Sequence, residues 1–209
     1  MIIEMQLPPG AWSGLPRQFP TGSGQSADEW FEELAQAYSA EHGGSLTSEQ
    51  VGGLRDLVGE ARAQISDRDV ATLLFRPVGA PVTAVVHVQL AAAEPDTRDA
   101  IAHALLPDVP MALPPKIGPI EHATFGTGHK GTFLSGELHD DRAVGGTSYA
   151  FAADGIVVHV FTGPLPPFVL GLIEAPSTRS WRRCDFSTTA LRSGCRWAAM
   201  PIGRLPEAR

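Results

Sequence analysis

Cysteine is absent from the first 176 residues of this 209-residue chain, and the two present, Cys184 and Cys195, lie close together near the C-terminus. That excludes a disulfide framework and a cysteine-based zinc centre in the body of the chain. Aromatic residues are few, at 7%, so a core has to be built from Val, Leu and Ala. Positive charge is scarce in the same stretch: residues 1–176 hold 9 Lys+Arg against 21 Asp+Glu, a net of −12. Binding to nucleic acid or anionic lipid relies on Lys and Arg neutralising phosphates, so neither is expected as a partner. No apolar run approaches the roughly 20 residues of a membrane helix. Met1-Ile-Ile-Glu4 opens without a basic region or an apolar signal stretch. The expectation is a soluble, cytoplasmic protein.

Composition changes at Pro176. Residues 177–209 carry 7 basic and 2 acidic residues, both cysteines and no Lys. The chain therefore divides into one domain over 1–176, large enough to bury a core without staples, and a basic tail over 177–209. The tail has two readings. It is an arm, through Arg179-Ser-Trp-Arg-Arg183 and Arg192 to Trp197, for an acidic partner or its own acidic domain. Alternatively it is an incidental extension, since Arg, Ser, Cys, Trp and Pro are what a shifted GC-rich frame yields. It lacks a sustained apolar period, which favours the second reading and predicts disorder or loose packing.

Patterning in the body is regular. Ile2, Ile3, Met5 and Leu7 predict a strand, followed by a Gly/Ser/Pro-rich loop anchored by Trp12, Leu15 and Phe19. Ser26-Ala-Asp-Glu29 and Thr47-Ser-Glu-Gln50 are capping boxes that open two helices. The first presents Trp30, Phe31, Leu34, Ala35 and Tyr38 and ends at Gly43-Gly44; the second presents Val51, Leu54, Leu57, Val58, Ala61 and Ile65. Val70 to Arg76 reads as an interior strand. In the next, Val82, Ala84, Val86, Val88 and Leu90 share one face, with Thr83, His87 and Gln89 mostly opposite. A short helix is expected near 96–106, then a stiff proline-rich connection over 107–119. Strands follow at about 118–125, 131–138, 144–153 and 156–163. Asp154-Gly155 predicts a type I′ hairpin that sets Phe151 opposite Val158, Tyr149 opposite Val160 and Thr147 opposite Thr162. Leu165, Phe168, Val169, Leu172 and Ile173 fall on one helical stripe behind Pro166-Pro167, giving a short closing helix. Strands joined by short turns run antiparallel, so the fold class is α+β, an antiparallel sheet of six to seven strands flanked by helices.

Chemical motifs fail on context. Gly126-Thr-Gly128-His-Lys-Gly131 spells a dinucleotide fingerprint, but that chemistry needs a helix to follow, and Thr132-Phe-Leu-Ser reads as a strand. A P-loop needs Lys where Thr132 stands. A flexible hairpin loop is the simpler reading, and no nucleotide is expected. Glu121, His122, His129, Glu137, His139, Asp140 and Asp141 crowd together, yet they fit no zinc spacing, and Glu121 and His122 point to opposite strand faces. No metal or other cofactor is expected. Gly146-Thr-Ser148-Tyr-Ala150 approximates a nucleophile elbow, but Ser148 sits inside a strand. His87 and His159 could serve as general bases, but neither has an evident nucleophile or orienting carboxylate. His129, Lys130 and Arg142, cations at polar hairpin loops, are the first candidates for contacting a partner.

Leu7-Pro-Pro-Gly-Ala-Trp12, the long helix, Thr72-Leu-Leu-Phe-Arg-Pro77 and Val82 to Leu90 resemble a group of actinobacterial proteins with an L-P-P-G-W start. That group is similar to the PsbP-like fold, also found in LpqN-like lipoproteins. The chain departs from it in Ala11, in lacking a lipoprotein signal, and after Pro176. The resemblance implies a binding or assembly module. The leading expectation is thus a non-enzymatic accessory module binding another protein, with a homodimer as a second arrangement. The competing one is a small-molecule enzyme using His87 or His159 in a pocket beside the sheet.

Overall fold

Reciprocal caps start the helical half of the fold. In the computed structural model, which describes residues 12–76, 83–92, 101, 105–122, 125–136, 143–153 and 155–173, Ser26 Oγ accepts from the Glu29 N–H while Glu29 accepts from the Ser26 N–H at 2.7 Å. Thr47 and Gln50 repeat the exchange. Helix α1 spans Ala27–His42, stopped by Gly43 at φ 71, and α2 spans Ser48–Ala63. Both follow the sequence reading.

The strands are β1 (Trp12–Gly14), β2 (Asp69–Phe75), β3 (Ala84–Ala92), β4 (Lys116–His122), β5 (Gly126–Ser135), β6 (Val144–Ala153) and β7 (Ile156–Thr162). They form one antiparallel sheet in the order β1-β2-β3-β7-β6-β5-β4. The α+β class and the seven strands agree with expectation. The strand expected over Ile2 to Leu7, most of the helix near 96–106, Arg142 and the tail lie outside the described residues.

Three local readings need correction. Trp12 and Leu15 are buried anchors as expected, but Trp12–Gly14 pairs with Phe75, Leu74 and Leu73 as a short strand, not a loop. Gly126–Gly131 is likewise no flexible loop: it is the first half of β5, paired with β4 from His122 back to Ile117. The proline-rich connection accordingly ends at Pro115, and β4 and β5 each begin earlier than expected. The glycines that resemble a loop serve close packing, since a Cβ on Gly128 would stand 2.3 Å from Phe151 Cδ1. The third correction concerns the closing helix, α3, over 167–173. Leu165, Val169, Leu170 and Ile173 are buried, whereas Phe168 and Leu172 are exposed. Leu170 fits against Gly145, which rotates the buried stripe away from the expected one. At ~2 kcal/mol for each buried aliphatic side chain, this packing outweighs the nucleation cost of so short a helix.

The β6–β7 hairpin keeps the expected register, with Phe151 opposite Val158 and Tyr149 opposite Val160. Thr147 N–H donates to Thr162 Oγ1 at 3.1 Å. One sheet face carries Leu73, Phe75, Val86, Val88, Tyr149, Phe151, Val158 and Val160 beneath α3. The other carries Leu74 and Val85 beneath α1 and α2, then Ala150 beneath Ile101 and Leu105.

Candidate functional site

Asp69, Thr72, His87, Ser148 and His159 lie on the face shared by α1, α2 and Leu105. Residues paired directly across strands point to one face, so the register gives two rows. One runs Thr72, His87, Phe161, Ser148, Gly131, Ile117; the next runs Asp69, Gln89, His159, Ala150, His129, Pro119. Asp69 and Thr72 are three positions apart and in a regular strand would face opposite ways. The register slips between Asp69 and Ala71, leaving Val70 without a partner on β3. This β-bulge turns Asp69 onto the face of Thr72 and His87.

Asp69 is the centre of a polar knot. Its carboxylate accepts from His87 Nδ1–H at 2.7 Å, Gln89 Nε2–H at 2.8 Å, Ser66 N–H at 2.9 Å and Thr72 O–H at 3.3 Å. Burial pushes the Asp69 carboxyl up, but the bonds from Gln89, His87 and Ser66 and the His87 ring together hold it below the usual range. The sequence reading found no orienting carboxylate for His87, and that is corrected: Asp69 fills that role. Sequence alone gives no sign of it, because only the bulge brings the two together. The pair is nonetheless closed to substrate, with side chains 7% and 1% exposed, and its carboxylate is fully engaged.

His87, Phe161 and His159 form a stack, with ring centroids 5.0 Å and 4.8 Å apart. Burial lowers the His159 pKa, and its Nε2 has no hydrogen-bond partner among the described residues. Ser148, the elbow candidate, is buried in mid-strand and donates to the Leu105 carbonyl. A nucleophile so committed has no route to His87, since Phe161 stands between them in the row.

Beyond Ala150 the same face opens into a cleft of about 420 Å3, lined by Ile101, Thr127, Gly128, His129, Ala150 and Ala152. This volume suits a small ligand or an inserted side chain, and the lining includes neither His87 nor His159. His129 therefore reaches a cleft, but Lys130, its neighbour on β5, lies over the Tyr149 ring on the opposite face. The two do not form one site, and Arg142 lies outside the described residues. Glu121 accepts from Thr127 Oγ1 at 2.7 Å, while His122 is buried and accepts from the Phe125 N–H. Among the described residues no three His, Cys, Asp or Glu side chains could hold a metal ion.

The sheet edge beside the cleft is β4. Among the described strands β4 is the outermost, and Pro119 in its middle lacks a backbone donor, which opposes addition of another strand. Val109 and Leu113, in the connection leading into β4, and Ile117, in β4 itself, are 43%, 45% and 43% exposed. No known family, curated protein or solved structure matches this chain. No helix among the described residues is long and apolar enough to cross a membrane. The functional reading therefore rests on this geometry: a closed polar knot, and an apolar sheet edge beside a cleft.

Proposed function

We propose that this chain is a non-enzymatic binding module that docks another protein at the β4 edge. The observation that carries the reading is the trio Val109, Leu113 and Ile117, three exposed aliphatic side chains within nine residues. Exposed aliphatic side chains this close in sequence mark an interaction surface where they share one patch. The cleft beside them offers room for an inserted apolar side chain against Ile101, Ala150 and Ala152. Pro119 shapes the mode of docking: the partner packs side chains onto the edge and does not extend the sheet. The enzyme reading has less support, because His87 is committed to Asp69 and the cleft holds neither of its candidate histidines.

The test is photo-crosslinking from position 113 in cells that produce the chain, followed by binding with the protein so captured. Leu113→Asp and Ile117→Asp should each weaken that binding at least tenfold, as loss of an anchor residue does, while Val70→Asp leaves it intact. A captured protein that binds both edge variants as well as the wild type would overturn the proposal. Turnover of a small molecule that His159→Phe abolishes would do so too, in favour of the enzyme.

A further inference from the structure

Helix α3 exposes two large apolar side chains one turn apart, Phe168 at 66% and Leu172 at 42%. Side chains at i and i+4 stand one above the other, so the pair forms a single patch. The helix is well seated, with Val169, Leu170 and Ile173 buried on its other side, and the patch is not a sign of poor docking. Its area is on the order of 200 Å2, far below the ~1,200 Å2 of a stable interface. A freely diffusing partner or a second copy gains too little there. A tethered segment does not face that limit, because its effective concentration is in the millimolar range.

Such a segment starts at the patch. The sequence continues for 36 residues beyond Ile173, with Pro176 three positions on, a residue that disfavours continuation of a helix. Phe168 lies ~8 Å from the end of α3 at 1.5 Å per residue. Eight residues separate Ile173 from Trp181, and a coil of that length has a root-mean-square reach of ~16 Å. Trp181-Arg-Arg-Cys-Asp-Phe186 thus delivers two aromatic side chains within range. The net charge of +5 over 177–209 against −12 over 1–176 adds a general attraction. We propose that the C-terminal segment folds back and covers Phe168 and Leu172 with Trp181 and Phe186. With Phe168 and Leu172 placed on the buried stripe, the sequence reading offered the tail no such surface.

Cys184 lies between the two aromatics and Cys195 beyond them, so the full-length chain carries its own reporter and its own reference. Each thiol is alkylated under native conditions and its rate divided by that in the urea-unfolded chain. Cys184 should react about tenfold more slowly than Cys195 on this scale, as for a locally ordered segment. The double substitution Phe168→Ser and Leu172→Ser should bring the two rates together. Trp181→Ser should do the same while leaving α3 unaltered. Equal rates in the wild-type chain overturn the proposal, as does protection that survives both variants. Protection that increases with chain concentration also overturns it, since a second copy would then be the cover.

Discussion

Asp69 Oδ2 lies 2.7 Å from His87 Nδ1 because Val70 bulges out of the β2–β3 ladder. The carboxylate ties together a turn at Ser66, two residues of β3 and Thr72 of its own strand. Asp69→Ala leaves several buried donors unanswered and should cost about 3 kcal/mol. His87→Ala should cost about 2 kcal/mol, and the double variant should fall short of the sum by about 1 kcal/mol, since both single changes break the same contact. Urea unfolding of the four chains measures this, and strict additivity would show that the pair is not coupled.

Acid should weaken the fold in two stages. Burial holds the His159 pKa below its ordinary 6.5, so the folded chain binds fewer protons there than the unfolded chain. The contribution of His159 is full above about pH 6.5 and is lost as the pH falls towards the folded value. Asp69 is also held low, and its contribution is full above about pH 4, disappearing only as the pH falls through the folded value. The urea midpoint should drop between about pH 7.5 and about pH 5.5, and His159→Phe should remove part of that drop. Identical pH slopes for the two chains in this window would refute the assignment.

Two glycines should respond in opposite directions to the same substitution. Gly53 is on the exposed side of α2 with nothing within 4 Å of a Cβ, so Gly53→Ala should stabilise by about 1 kcal/mol through helix propensity. A Cβ on Gly145 would stand 2.5 Å from Leu170 Cδ1 and 2.7 Å from the Phe133 carbonyl. The leucine can move and the backbone cannot, so Gly145→Ala should cost about 2 kcal/mol. Thermal melts of the two variants on either side of the wild type are the expected result.

Pro119→Val restores a backbone N–H to β4. It should raise concentration-dependent association in sedimentation or light scattering without lowering the melting temperature. A variant as monodisperse as the wild type would mean that Pro119 does not guard the edge.

What was legible in the sequence was local. The capping boxes at Ser26 and Thr47 and the turn at Asp154-Gly155 act over three or four residues, and so fixed two helices and one hairpin register without knowledge of the rest. Gly126–Gly131 misled because glycine signals a turn only when nothing packs against it, and here Phe151 does. Asp69 went unnoticed because a bulge depends on the partner strand, not on the residues of the strand that bulges. Phe168 and Leu172 fit a helical stripe as well as Leu170 does, and only the gap over Gly145 decides between them.

The joint between β3 and β7 bears on how the chain folds. The β2–β3 pair and the run β4–β7 are each made of pairings between neighbouring segments, whereas β1–β2, which joins Trp12 to Phe75, and β3–β7 both close long loops. Val86 must find Thr162, and Ala92 must find Ile156, across more than sixty positions of chain. Closing so long a loop costs entropy before any contact rewards it. The β2–β3 pair and the run β4–β7 should therefore form early and separately, with β1–β2 and β3–β7 closing late. Substitutions at Val88 or Val160 on this seam should then quicken unfolding and leave the refolding rate nearly unchanged.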